Sequence, residues 1–161
     1  MKVGILTVSD KGARGEREDR SGPAVREMVE AAGGEVVRTG LVPDEPDRIR
    51  EALVAWSDEG LDLVLTTGGT GFGPRDVTPE ATRAVIEREA PGLAEAMRRA
   101  GAERTPTAIL SRAVAGIRKS TLIVNLPGSE RGARESLGAV LPALGHGVEI
   151  LRGRAAECGK P

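Results

Sequence analysis

Leu61-Asp62-Leu63-Val64-Leu65-Thr66-Thr67-Gly68-Gly69-Thr70-Gly71 decides the fold. Residues 61–67 are close to continuously apolar and too short for a buried helix, the pattern of a strand covered by helices on both faces. Upstream, Lys2 to Ser9 is another short apolar run (Val3, Ile5, Leu6, Val8), and a further strand reads around Glu35 to Val42. Between these runs lie amphipathic stretches. One begins at Ser21-Gly22-Pro23, repeats through Val25, Met28, Val29 and Ala32, and stops at Gly33-Gly34. The other follows the Pro43-Asp44-Glu45-Pro46 break with Ile49, Ala52, Leu53 and Trp56. Asp10 to Arg20 carries eight charges, two glycines and no apolar period, which predicts a solvated loop.

Downstream of the glycine loop (Gly68 to Pro74), Thr78-Pro79 predicts a helix with Ala81, Ala84, Val85 and Ala90, ended near Pro91-Gly92. A further helical piece covers Leu93 to Ala100, and residues 113–118 and 121–126 read as strands. The last helical pattern, Leu137, Val140, Leu141 and Leu144, is interrupted by Pro142, which predicts a kink or two short helices. Strand–helix alternation at this spacing predicts an α/β three-layer sandwich with a mostly parallel central sheet, as one domain over residues 1–161.

Composition narrows the function. Of 161 residues, 39% are hydrophobic and 29% charged, with 23 Lys+Arg against 24 Asp+Glu, so no basic excess points to nucleic acid. No apolar run approaches the roughly 20 residues of a membrane span, and no charged-then-apolar leader opens the chain, so a cytoplasmic protein without a membrane or nucleic-acid partner is expected. With one cysteine, Cys158, and one histidine, His146, neither an internal disulfide nor a Cys/His metal site is expected. Trp56 and Phe72 are the only aromatics, so recognition falls to backbone amides, charges and hydroxyls. Gln is absent, Asn occurs once, and Arg outnumbers Lys 19 to 4; heat selects against amides, while a GC-rich genome favours Arg over Lys.

In open parallel sheets, ligands bind at the carboxyl ends of the strands, and the unusual residues fall there. Ser9-Asp10 ends the first strand, Pro43-Asp44 the second, Gly68-Gly69-Thr70-Gly71 the third, and Asn125-Leu126-Pro127-Gly128-Ser129 the late one. The glycine loop lets consecutive N–H groups converge on an anion, and Thr70 adds a hydroxyl; the alternative is a tight connection. It lacks the Gly-Lys-Ser/Thr of a Walker loop. Thr78 reads as the cap of the next helix, which leaves Asp76 either as a Mg²⁺ ligand beside a phosphate cradle or as a surface partner of Arg75. Asp44 reads first as a helix cap. Ser111-Arg112 offers a hydroxyl and a guanidinium to a phosphate, or forms an ordinary loop. Asn125, the one side-chain amide, would read a heterocycle or fix a loop.

Gly68-Gly69-Thr70-Gly71, Pro74-Arg75-Asp76-Val77-Thr78-Pro79-Glu80-Ala81-Thr82 and Thr7-Val8-Ser9-Asp10 resemble the molybdenum-cofactor biosynthesis family that includes MogA, MoaB and the gephyrin G domain. The likeness continues, in order, through Leu41-Val42-Pro43-Asp44, Pro91-Gly92, Pro106 to Arg112 and Asn125 to Ser129. Arg88 to Gly92, the Pro106 to Arg112 segment and Gly116 to Lys119 are closest to the MogA type, the molybdopterin adenylyltransferases. The resemblance implies transfer of AMP from Mg-ATP to the molybdopterin phosphate with release of pyrophosphate. It implies that Asp44 and Asp76 are the essential aspartates and hold the Mg²⁺. Ser9, Asp10, Gly68, Gly69, Thr70, Gly71, Arg75, Ser111, Arg112, Asn125, Pro127, Gly128 and Ser129 would then form the nucleotide and pterin sites. A homotrimer and transient contact with the molybdenum insertase are further implications. The alternative is a non-catalytic molybdopterin-binding carrier or scaffold of the same family.

Overall fold

The apolar run 61–67 becomes the strand β3 (Leu63–Thr67), buried at every residue. Residues 1–154 are described by the computed structural model, so Cys158 lies outside them. Parallel to β3 run β1 (Lys2–Val8) on one side and β6 (Thr121–Leu126) on the other. β2 (Glu35–Val42) extends the sheet in parallel beyond β1. β5 (Ala115–Arg118) turns antiparallel against β6, and the two-residue β4 (Arg88–Glu89) pairs antiparallel with β5. The order is β2-β1-β3-β6-β5-β4, a mostly parallel sheet with one reversed margin.

Alternation along the strands sends neighbouring residues to opposite faces. Val3, Ile5, Leu63, Leu65, Leu122 and Val124 pack beneath α2 (Ser21–Ala31), α5 (Pro91–Ala102) and α6 (Glu130–Leu151). Leu6, Val8, Val64 and Ile123 face the other way, against Ile49 and Leu53 of α3 (Pro46–Asp58) and Ala81 of α4 (Thr78–Arg83). Helices on both faces of one sheet make the expected three-layer sandwich.

Four expectations need correction. Within the loop predicted over 10–20, Asp10–Ala13 forms a one-turn helix, α1, because the Ser9 hydroxyl accepts the Gly12 N–H at 3.0 Å. The helix opened at Thr78 stops at Arg83; residues 88–89 pair with β5, and Pro91 begins the next helix. A proline in a first turn forfeits no hydrogen bond, so Pro91 serves equally well as a start. The strand predicted over 113–118 begins at Ala115. Finally, α6 runs unbroken from Glu130 to Leu151 through Pro142. Pro142 and Gly138, whose carbonyl the proline deprives of its partner, are both exposed to water, while Leu137, Val140, Leu144 and Val148 are buried on the core side.

Asn125, fully buried in β6, ties together pieces that the ladder alone would leave loose. Its Oδ1 accepts the Val114 N–H at 3.1 Å, and its Nδ2 donates to Thr66 Oγ1 at 3.0 Å and Thr82 Oγ1 at 2.9 Å. One side chain thus joins β3, α4 and the segment entering β5, and only an amide has both the acceptor and the two donors. Its partners match the second of its two sequence readings, fixing chain segments. Asn125→Ala should strand the Val114 N–H and cost about 2–4 kcal/mol, read as a lower urea midpoint with an unchanged slope; an unaltered midpoint would contradict this role.

Candidate active site

The carboxyl ends of β1, β2, β3 and β6 gather four segments at one end of the sheet. There the chain leaves β3 through Gly68 (φ 97°) and Gly69 (φ 65°), in the left-handed region that favours glycine. A Cβ on Gly68 would strike the Val8 carbonyl oxygen, and one on Gly69 would strike the Thr78 hydroxyl. The loop carbonyls turn toward α4: Gly68 O accepts the Thr78 hydroxyl at 2.9 Å and Gly69 O accepts its N–H at 3.1 Å. Thr78 is therefore the first helical residue and a tether for the loop, and Val77 takes the cap position that the sequence assigned to Thr78. The N–H groups of Gly69, Thr70 and Gly71 donate to no described residue.

Two cavities adjoin this loop. The larger, about 700 Å³, is lined by Ser9, Asp44, Gly68, Gly69, Asp76, Gly128 and Ser129 among others. The smaller, about 440 Å³, is lined by Thr70, Gly71, Ser111, Pro127 and Ser129, with Met97, Leu110 and Ala113 supplying apolar wall. Ser129 lines both and caps α6, its hydroxyl accepting the Gly132 N–H at 3.1 Å. Asp44 and Asp76, from separate crossover turns, thus face one cavity.

Neither aspartate spends its carboxylate on capping the helix that follows it in the chain. The cap position of α3 belongs to Glu45; Asp44 Oδ2 accepts the Asp10 N–H at 2.7 Å, and the Asp44 N–H returns a bond to Asp10 Oδ1 at 3.0 Å. The helix-cap reading of Asp44 is thereby replaced. Asp76 Oδ2 accepts the Gly73 N–H at 2.8 Å. The surface pairing of Asp76 with Arg75 is also replaced, because Arg75 grips Asp10 through two bonds of 2.9 Å. The Oδ1 atoms of Asp44 and Asp76 accept no hydrogen bond from any described residue.

Electrostatics follow from this layout. Burial pushes the Asp44 pKa up; the Asp10 N–H opposes that, while the charges of Asp10 and Asp76 reinforce it. The Arg75 guanidinium holds Asp10 below the usual carboxylate range against partial burial. Among the described residues no group of three or more His, Cys, Asp or Glu could by itself cage a metal ion. Two carboxylates with free oxygens suit an ion that completes its shell with water and phosphate oxygens, as Mg²⁺ does.

Asp10, Arg75, Arg112 and Asn125 line neither cavity. Arg112 Nε donates to Gly71 O at 2.7 Å, another guanidinium nitrogen reaches Asp76 O at 2.6 Å, and a third pairs with Glu80. Arg112 is thus a clamp on the glycine loop. Ser111 stays in the smaller cavity, where its Oγ also takes the Ala113 N–H at 3.3 Å.

Sequence reasoning missed a polar group on the larger cavity. Asp19 accepts the Thr7 hydroxyl at 2.6 Å, the Ser21 hydroxyl at 3.1 Å and the Gly22 N–H at 2.9 Å, and Ser21 reaches Thr67 Oγ1 at 2.9 Å. The signal was present: an aspartate three residues ahead of Gly22, where a helix begins, has capping spacing.

Residues 4–146 match a family model described as a probable molybdopterin binding domain. The chain is 44% identical over 156 residues to a molybdopterin adenylyltransferase of Helicobacter pylori, covering 95% of this chain and 89% of that one. It is 41% identical to gephyrin of Dictyostelium discoideum over 94% of this chain but spans only 23% of that longer protein. Among solved structures, the molybdopterin biosynthesis enzyme MoaB from Thermus thermophilus superposes with a TM-score of 0.91 at 58% identity, covering 97% of this chain and 99% of that one. With nearly its whole length matched by that model and by relatives of this likeness, the chain belongs to the molybdopterin-binding, molybdenum-cofactor biosynthesis family.

Proposed function

We propose that this chain is a molybdopterin adenylyltransferase, joining the terminal phosphate of molybdopterin to the AMP moiety of ATP. The observation that carries this is the facing of Asp44 and Asp76 into one cavity beside a glycine loop with free N–H groups. The adenylyltransferase relative from Helicobacter pylori, matched over 89% of its length, supports the same reading. A pterin phosphate oxygen attacks the α-phosphorus of ATP, the bond to the bridging oxygen breaks, and pyrophosphate leaves. That oxygen is already anionic, so no strong base is needed; the obstacle is repulsion between the phosphates.

The chain's residues meet that obstacle by placement. Asp44 and Asp76 would hold a Mg²⁺ through their free Oδ1 atoms, and the chemistry such an ion supplies is neutralisation of the phosphates and of the departing pyrophosphate. The N–H groups of Gly69, Thr70 and Gly71 would orient phosphate oxygens and place donors where charge develops in the reaction. Ser129, on both cavity walls, lies where nucleotide and pterin would meet. Ser111 would bind on the pterin's phosphate side, in the smaller cavity. A homotrimer in the cytoplasm, in transient contact with the molybdenum insertase, completes the reading; the 23% share of gephyrin that this chain matches shows that such a unit occurs within a longer protein. No described helix is long and apolar enough to cross a membrane.

Purified protein mixed with molybdopterin, ATP and Mg²⁺ should yield adenylylated pterin by mass spectrometry, with none after chelation. Asp44→Asn and Asp76→Asn should each lower turnover by about 100-fold or more while leaving the pterin dissociation constant within a few-fold. Unimpaired turnover would refute their role, and pterin binding without magnesium-dependent ATP binding would favour the carrier reading. A thermal measurement adds an independent check. Because the Asp44 pKa is raised, its ionised form costs stability in metal-free protein; the cost is absent below the ordinary carboxylate range and grows as pH rises through the raised value. Asn retains the acceptor for the Asp10 N–H, so Asp44→Asn should melt higher than the parent at pH 7, on a scale of about 2–4 °C per kcal/mol, and the gain should vanish near pH 3.

A further inference from the structure

We propose that the ion pair between Asp10 and Arg75 is a positioning brace that sets the spacing of Asp44 and Asp76 and thereby how tightly a divalent ion is held. The proposal rests on the adenylyltransferase reading and assigns Asp10 and Arg75 a different task from ligand contact. Asp10 follows β1, and Arg75 stands one residue before Asp76, 65 positions away in sequence. Two bonds of 2.9 Å join them, Nε to Oδ2 and Nη2 to Oδ1, a bidentate geometry that fixes orientation as well as distance.

Asp10 is also the partner of Asp44. The Asp10 N–H donates to Asp44 Oδ2 at 2.7 Å, and Asp10 Oδ1 accepts both the Asp44 N–H at 3.0 Å and the Arg75 guanidinium at 2.9 Å. One carboxylate oxygen therefore couples the turn that carries Asp44 to the loop that carries Asp76. Arg112 holds the Asp76 carbonyl at 2.6 Å and Gly71 O at 2.7 Å, so the short segment bearing Asp76 is fastened at Arg75 and again at Arg112.

A purely stabilising role does not fit the exposure. The Arg75 side chain is 60% exposed, and ion pairs in water of this kind add little to global stability. Neither residue lines either cavity, and the Arg75 guanidinium is turned onto Asp10 through two of its nitrogens. Orientation of two ligating carboxylates fits the bonding of Asp10 to both segments, and partners that orient metal ligands typically set affinity by roughly 10- to 100-fold.

The test is calorimetric titration of Mn²⁺ into the full chain in the presence of a non-hydrolysable ATP analogue. Asp10→Ala and Arg75→Ala should each weaken Mn²⁺ uptake by roughly 10- to 100-fold, with thermal midpoints within about 2 °C of the parent. Asp10→Asn keeps an acceptor for the Asp44 N–H but loses the charge, and should fall between. The double variant should be no weaker than the worse single one, because both changes break one link. Arg75→Ala alters an exposed side chain and keeps the test readable should Asp10→Ala fold poorly. Unchanged Mn²⁺ affinity in the folded single variants, or losses that multiply in the double variant, would overturn the brace alone. A parent protein that takes up no Mn²⁺ with the analogue would overturn both the brace and the adenylyltransferase reading.

Discussion

Three chain segments meet behind Gly68 with no room for a side chain. The Val8 carbonyl presses on one side, and a Cβ on Gly128 would stand 3.1 Å from the Gly68 Cα on another. This close approach lets the ends of β1, β3 and β6 share one small area. Gly68 also donates its N–H to Leu126 O at 3.0 Å, which sews the ends of β3 and β6 together at the same spot. Any residue with a Cβ there would strike the Val8 carbonyl and press the strand ends apart. The meeting of the strand ends beneath the site therefore depends on backbone contact at its floor.

The same crowding concentrates negative charge. The charges of Asp10 and Asp76 both bear on Asp44, and of the three only Asp10 has a bidentate cationic partner. A fold selected for stability alone would replace Asp44 with a neutral acceptor, since the Asp44 carboxylate accepts one backbone bond that an amide could also accept. Keeping a partly buried acid beside two others makes sense where a cation is recruited during the working cycle. Arginine next to the glycine loop serves the backbone and the acids, Arg112 closing on carbonyls and Arg75 on Asp10, while Arg17 and Arg20 line the larger cavity and Arg98 and Arg131 the smaller.

Much of this was legible in the sequence because apolar periodicity reports burial directly. The runs at 2–9, 35–42, 61–67 and 121–126 became strands, and the helices over 21–31 and 46–58 followed their amphipathic faces. The gathering of unusual residues at strand ends also carried through, with Asp44 and Asp76 facing one cavity. What escaped was non-local pairing. A periodicity argument cannot tell that Arg112 reaches across 36 positions to the Asp76 carbonyl, or that Asn125 spends its amide on Val114, Thr66 and Thr82. Charge density in 10–20 concealed both α1 and Asp19, because a polar stretch that lines a cavity looks like one that faces only water. The misplaced end of the helix at Thr78 has a simpler cause: proline marks helix starts and helix stops alike.

The buried amide of Asn125 has a bearing on how the molecule ages. Asparagine decays when the following backbone nitrogen folds back to attack the side-chain carbonyl, which requires a loose chain and access to water. Here that carbonyl is sealed inside β6 and bonded to Val114, and the sequence holds no glutamine and no second asparagine. The commonest spontaneous route to a shifted isoelectric point is therefore blocked at its single opportunity, and charge heterogeneity in long-stored preparations would have to arise from some other chemistry.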